Sequence, residues 1–140
     1  MDALAVLGRL ARQQLDEQRR ALHAIDRALA AVRDELDGLR QQLEEERRAA
    51  ATLADGERLL ASYQRRILER ERTLRAELDR LARERAAAAE RLAEHRLETR
   101  RLETLVERRA ERLRANTLKK QQKTADELAL ARRHHRPPVG

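Results

Sequence analysis

From Leu22 to Leu43 the large apolar residues stand at Leu22, Ile25, Leu29, Val32, Leu36, Leu39 and Leu43, in steps of 3, 4, 3, 4, 3 and 4. That is an unbroken heptad seam. A helix turning every 3.6 residues gathers such positions on one narrow face, and a face that narrow buries itself against another helix. The seam extends backwards through Gln18, Leu15, Ala11, Leu7 and Leu4, with an extra step of four that locally unwinds a supercoil. Forwards it runs through Glu46, Ala50 and Leu53. Residues 3–53 are therefore expected to form one helix, about 75–80 Å long at 1.5 Å per residue.

Little else in the chain is able to build a core. Tyr63 is the single aromatic residue, Phe, Trp and Cys are absent, and 41% of the residues are charged. Leucine supplies nearly all the large apolar surface, spread between charges, which is the composition of long helices and coiled coils. An enzyme with a walled pocket is not expected from it. Without cysteine there is no disulfide framework and no thiolate metal site. The longest apolar runs, 3–7 and 86–89, fall far short of the roughly 20 residues of a membrane span. The opening MDALAVLGRLAR has an acid at position 2 and Gly8-Arg9 inside its apolar stretch, so no signal peptide is expected and the cytosol is the expected compartment.

Residues 52–57, Thr-Leu-Ala-Asp-Gly-Glu, are the expected turn. Thr52 or Asp55 is placed to cap a new helix, and Gly56 to end the old one in the left-handed conformation. The seam resumes at Leu60, Tyr63, Ile67, Arg70 and Leu74, with a second stutter to Leu78 and Leu81. It weakens through Arg85, Ala88, Leu92, His95 and Thr99, then recovers at Leu102, Val106 and Leu113. The second helix is expected over 57–135, about 110 Å. Arg132 and Arg133 suit its negative dipole end, and Pro137-Pro138 stop it before a disordered tail at 137–140. The fold class is all-α: an antiparallel two-helix coiled-coil hairpin over 1–136 with the longer helix C-terminal. Paired residue numbers should add to about 112, which sets Met1 beside Glu111. Residues 85–99 then face 13–27, both weak in seam residues, and should pack loosely. A parallel homodimer of one continuous helix near 200 Å is the competing architecture.

Charge is distributed unevenly. Residues 1–111 hold 24 Lys and Arg against 23 Asp and Glu, whereas 112–140 hold eight against two. All three lysines, Lys119, Lys120 and Lys123, fall in that C-terminal segment. The segment overhanging the first helix is thus also the basic one, and an acidic partner is implied. No catalytic constellation stands out. Pairs such as Glu44/Arg48, Glu71/Arg75 and Asp79/Arg83 have the spacing of solvated helix-surface ion pairs. His134-His135 read as a fraying end and His95 as a half-buried structural histidine, so no metal and no cofactor are expected. Nucleic acid is the weaker partner class. Aromatic stacking platforms are missing, the basic segment follows the seam rather than preceding it, and Asp126-Glu127 would repel phosphate.

The C-terminal stretch carries a more specific pattern. Arg101-Leu102-Glu103, Leu105, Glu107-Arg108-Arg109, Lys120-Gln121-Gln122-Lys123, Asp126-Glu127-Leu128-Ala129 and Arg132 resemble the signature of the FliJ family. These are soluble flagellar export proteins related to the YscO-type stalk proteins of type III injectisomes. Leu10, Arg12 and Asp16-Glu17-Gln18-Arg19-Arg20 resemble the family's first helix, and Tyr63-Gln64 with Ile67 the start of its second. The resemblance implies a non-enzymatic, monomeric, stalk-like hairpin akin to the rotor stalk of rotary ATPases. Its terminal end would enter a hexameric export ATPase (FliI-like) and promote assembly and activity. The region towards the turn would meet the cytoplasmic domain of an export gate (FlhA-like), and export chaperones would exchange on it beside the inner membrane. Carried over residue by residue, Arg12, Arg19, Arg20, Arg108, Arg109, Lys119, Lys120 and Lys123 would face the ATPase. Leu39, Leu43, Tyr63 and Ile67 would lie towards the gate, where Tyr63 alone stands in for the family's several aromatics.

Overall fold

The computed structural model describes residues 2–135; Arg136, the expected stop at Pro137-Pro138 and the expected tail at 137–140 lie outside them. Two helices, α1 (Ala3–Ala50) and α2 (Gly56–His134), are packed together as an all-α hairpin, with no strand among the described residues. The chain folds back on itself, so the continuous helix of the competing architecture is not the one adopted.

Asp2 starts α1. Its carboxylate accepts the Leu4 N–H at 3.2 Å, one of the donors that the first helical turn leaves open, and its carbonyl accepts the Val6 N–H at 3.2 Å as the first bond of the helix. The other end of α1 falls three residues before the expected Leu53. The N–H groups of Thr52 and Leu53 bond to Ala49 and Ala50, three residues back, and the Thr52 hydroxyl also donates to the Ala49 carbonyl at 2.9 Å. These tight bonds consume the carbonyls that another α-turn would use, and Leu53 is left exposed. Gly56 does not take the left-handed conformation expected of it; no residue has a positive φ among the described residues. It opens α2 instead, following Asp55, whose carbonyl accepts the Leu59 N–H. Glycine is needed there for close approach: Gly56 is buried, and a Cβ on it would overlap the Ala50 carbonyl.

The helix pair divides into two compact units, Gln13–Arg96 and Met1–Arg12 with Leu97–Gly140. In the first, Leu29, Val32, Leu74 and Leu81 form the core, flanked by Ile25, Ala28, Leu36, Leu39 and Leu78. All but Ala28 are seam residues read from the sequence. Arg70, also assigned to the seam, is instead exposed and reaches across to Glu35 at 2.6 Å. The loose packing expected where 85–99 meets 13–27 is not found. Ala88 is fully shielded, Leu92 and Leu15 are buried, and His95 is half-buried. A small side chain such as Ala88 is covered completely where a large one would not be needed, so a weak apolar pattern still yields buried positions.

In the second unit the seam differs from the expected one at Leu7, which is 50% exposed. Leu4, Gly8 and Ala11 carry the inward face, with Leu15 following in the neighbouring unit. Those steps of 4, 3 and 4 need no stutter. Opposite, Thr99 is buried with its hydroxyl 3.5 Å from the Ala11 carbonyl, and Leu102 is half-buried. The expected recovery of the seam at Val106 and Leu113 is reversed, because both are exposed: Val106 edges a groove beside Ala5 and Gly8, and at Leu113 α2 has run past the start of α1.

Ion pairs between the helices report the register. Asp2–Arg109 and Asp26–Arg85, at 2.6 and 2.5 Å, give number sums of 111; Arg12–Glu103 and Glu35–Arg70, at 3.0 and 2.6 Å, give 115 and 105. Arginine side chains reach about one helical turn to either side of the mean. All eight side chains are at least 41% exposed, and such pairs contribute under about 1 kcal/mol each, so the packed seam rather than the pairs sets the register.

Candidate functional site

Beyond the start of α1 the second helix has no partner among the described residues, and every residue from Glu111 to His135 is exposed. The helix persists there through Arg132, Arg133 and His134, whose position at its negative end is favourable. Exposure without packing is unusual for Leu113, Leu118, Leu128 and Leu130, which are 54–65% open to solvent. The whole unit shows the same imbalance. Of the twelve large apolar side chains most exposed among the described residues, nine lie in the unit of Met1–Arg12 with Leu97–Gly140.

Charge follows the same division. By sequence, residues 1–12 and 97–140 carry 14 Lys and Arg against seven Asp and Glu, whereas 13–96 carry 18 of each. The entire net charge of +7 therefore belongs to one unit. A surface that combines uncovered leucines with charge of one sign has the makeup of an interaction site.

Within this unit the expected basic residues have different surroundings. Arg12 is paired with Glu103 and Arg109 with Asp2, so both also hold the two helices together. Arg108 lines a shallow groove on α2 with Leu97, Arg100, Arg101, Thr104 and Leu105. Lys119, Lys120 and Lys123 stand exposed on the unaccompanied part of α2 and enter no ion pair among the described residues. The other two members of the expected set, Arg19 and Arg20, lie in the unit of Gln13–Arg96, where Arg19 is 3.6 Å from Asp16 on its own helix. Six of the eight are thus gathered in one unit. A second groove in it, lined by Ala5, Gly8, Arg9, Arg12, Glu103 and Val106, runs between the helices, where Gly8 leaves open space.

The residues expected towards the gate lie in the other unit and inside its packing. Ile67 is buried, Leu39 packs on the core, and Leu43 and Tyr63 are half-buried. With most of their surface covered, these four offer only their outer edges to anything else. The clearest local electrostatic perturbation is in the same unit. The Arg75 guanidinium, 2.8 Å away, holds the Glu71 carboxyl below its ordinary value near 4.5, chiefly through its hydrogen bond and against the opposing effect of desolvation, with further help from the charges of Arg75 and Arg40. That is a helix-surface pairing one turn apart, with nothing of an acid–base site about it.

Sequence reasoning left Arg101 and Arg112 out of the binding set. Both are exposed, and neither enters an ion pair among the described residues. Their seven-residue spacing to Arg108 and Lys119 was the available signal. No group of His, Cys, Asp and Glu able to hold a metal ion, and no helix long and apolar enough to cross a membrane, occurs among the described residues. No family model matches the chain, and comparison with curated proteins and with solved structures returns no match.

Proposed function

We propose that this chain is a non-enzymatic stalk component of a type III protein export apparatus, of the FliJ kind. Its Met1–Arg12 and Leu97–Gly140 unit engages a hexameric export ATPase and promotes assembly and activity of that ring. The carrying observation is the coincidence, in one unit, of the whole net charge and most of the uncovered leucine surface. A single α-helix continuing past its partner is narrow enough to enter a ring, and positive charge on it is attracted to acidic loops lining such an opening. Attraction of this sort speeds and orients association more than it tightens it, which suits a contact that has to be remade as a ring cycles. In this reading contact with an export gate falls to the unit of Gln13–Arg96, and chaperones exchange on the same protein.

The test is the hydrolysis rate of the export ATPase from the same organism with and without the chain. The wild-type protein is expected to raise it, and Lys119→Glu, Lys120→Glu and Lys123→Glu together should reduce the stimulation at least fivefold. Stimulation by the triple variant equal to that of the wild type would contradict the placement of the site. No stimulation and no co-sedimentation by the wild type would contradict the function.

A further inference from the structure

Five of the exposed cations of α2 share one face. From Arg101 the steps to Arg108, Arg112, Lys119 and Lys123 are 7, 4, 7 and 4, the spacing that keeps residues aligned along a helix. The stripe is about 33 Å long at 1.5 Å per residue. It lies on the far side of α2 from the inward residues Thr99, Leu102 and Ala110. The acids of the same stretch are segregated from it: Glu103, Glu107 and Glu111, at four-residue spacing, line a different side. Glu94 and Glu98 close the stripe at one end and Asp126 at the other. All five cations are exposed, and none enters an ion pair among the described residues, although Arg12 and Arg109 in the same unit do. Near its beginning the stripe borders the groove of Leu97, Arg100, Thr104 and Leu105, whose two leucines are about half exposed.

We propose that this stripe is a docking track for one acidic α-helix of a partner protein, aligned along α2, with carboxylates at heptad spacing opposite the cations and an apolar side chain in the Leu97/Leu105 groove. Three features select that occupant. The track is a single line of charge, one residue wide, which matches a line of anions on another helix. Its repeat of seven residues, about 10.5 Å, is close to two α-helical turns, so a partner helix with the same spacing drifts by only about 20° per heptad and keeps facing the track along its length. Its start holds leucine as well as arginine, which rewards a partner with apolar side chains. Duplex nucleic acid presents phosphates in two curved rows and favours cations spread over both flanks of a helix. An anionic bilayer favours a broad apolar sector, which this face lacks. The inference rests on the reading of this unit as the binding end, and adds which face of α2 is used and the chemistry of what lies on it.

The test uses the full chain and fluorescently labelled synthetic helical peptides of about 24 residues. One has Glu at heptad positions along one face; a second has the same composition in scrambled order. Arg101→Glu, Arg108→Glu and Arg112→Glu form the track variant. Arg96→Glu, Arg114→Glu and Arg132→Glu change the net charge equally away from it. All six positions are exposed, and circular dichroism checks that both variants remain helical. The track variant should weaken binding of the periodic peptide at least tenfold and the off-track variant less than threefold, with the scrambled peptide at least tenfold weaker on the wild type. Equal losses in the two variants, or equal affinity for the two peptides, would overturn the proposal. So would tighter binding to duplex DNA or to phosphatidylglycerol vesicles than to the periodic peptide. ATPase stimulation, measured in parallel, separates the two claims. Stimulation with no dependence on peptide spacing rejects the track alone. A spacing-dependent peptide site with no stimulation rejects the export function alone.

Discussion

Gly56 and Gly38 show how differently one residue type serves in this chain. A Cβ at Gly38 would meet open space, while at Gly56 it would meet the Ala50 carbonyl. Gly38→Ala should therefore stabilise the protein by about 0.5–1 kcal/mol, the ordinary gain of removing glycine from a helix interior. Gly56→Ala should destabilise it, and urea denaturation of the two variants side by side gives the opposite signs directly. Ala88 makes a related point about volume. It is completely shielded at a position where the sequence predicts loose packing, so Ala88→Leu should cost about 1–3 kcal/mol through overpacking. A neutral effect in thermal melts would mean that the gap is real after all. Two different sequence signals miss here: a glycine after a helix marks a left-handed end, and apolar periodicity marks a packed face. Periodicity registers where large apolar side chains recur, and it is silent on where two backbones come so close that only Gly or Ala fits.

For the elements, the heptad seam was the most legible feature. Leu29, Val32, Leu74 and Leu81 are core residues, as their spacing requires, and the ion pairs add to sums near the expected 112. What could not be read was the end of α1, because Ala51 and Thr52 continue a helix on propensity; the three-residue bonds at Thr52 and Leu53 stop it. Leu7 and Gly8 were exchanged for a similar reason: a leucine was credited to the seam, and the glycine actually lies there. At the other extreme, Leu113 continues the pattern in a stretch where no partner helix remains, and Val106 continues it beside Gly8, which leaves open space. A seam in sequence marks a face able to pair, and only the length of α1 decides how much of it does. Since residues 112–135 are exposed throughout, removing 112–140 should shift the melting temperature by no more than a few degrees, measured by circular dichroism at 222 nm.

Across the molecule, a uniform coiled coil and the observed chain differ in where their deficits lie. Residues 13–96 balance 18 cations with 18 anions and keep three of the twelve exposed large apolar side chains. The remaining unit has an excess of seven positive charges and the other nine. Net charge and its C-terminal bias were plain in the sequence. The binding set was only partly so, since Arg12 and Arg109 are committed to Glu103 and Asp2 while Arg101 and Arg112 enter no ion pair among the described residues. Which arginines pair within the chain depends on the exact reach across the hairpin, and that is fixed by packing rather than by residue type. The central claim is that the part of α2 beyond its partner is what binds, and the rest is what holds it out. Stimulation of the export ATPase by the chain ending at Glu111, compared with the full chain at equal helical content, tests it most directly. The account predicts a folded hairpin that no longer stimulates; full stimulation by the shortened chain would contradict it.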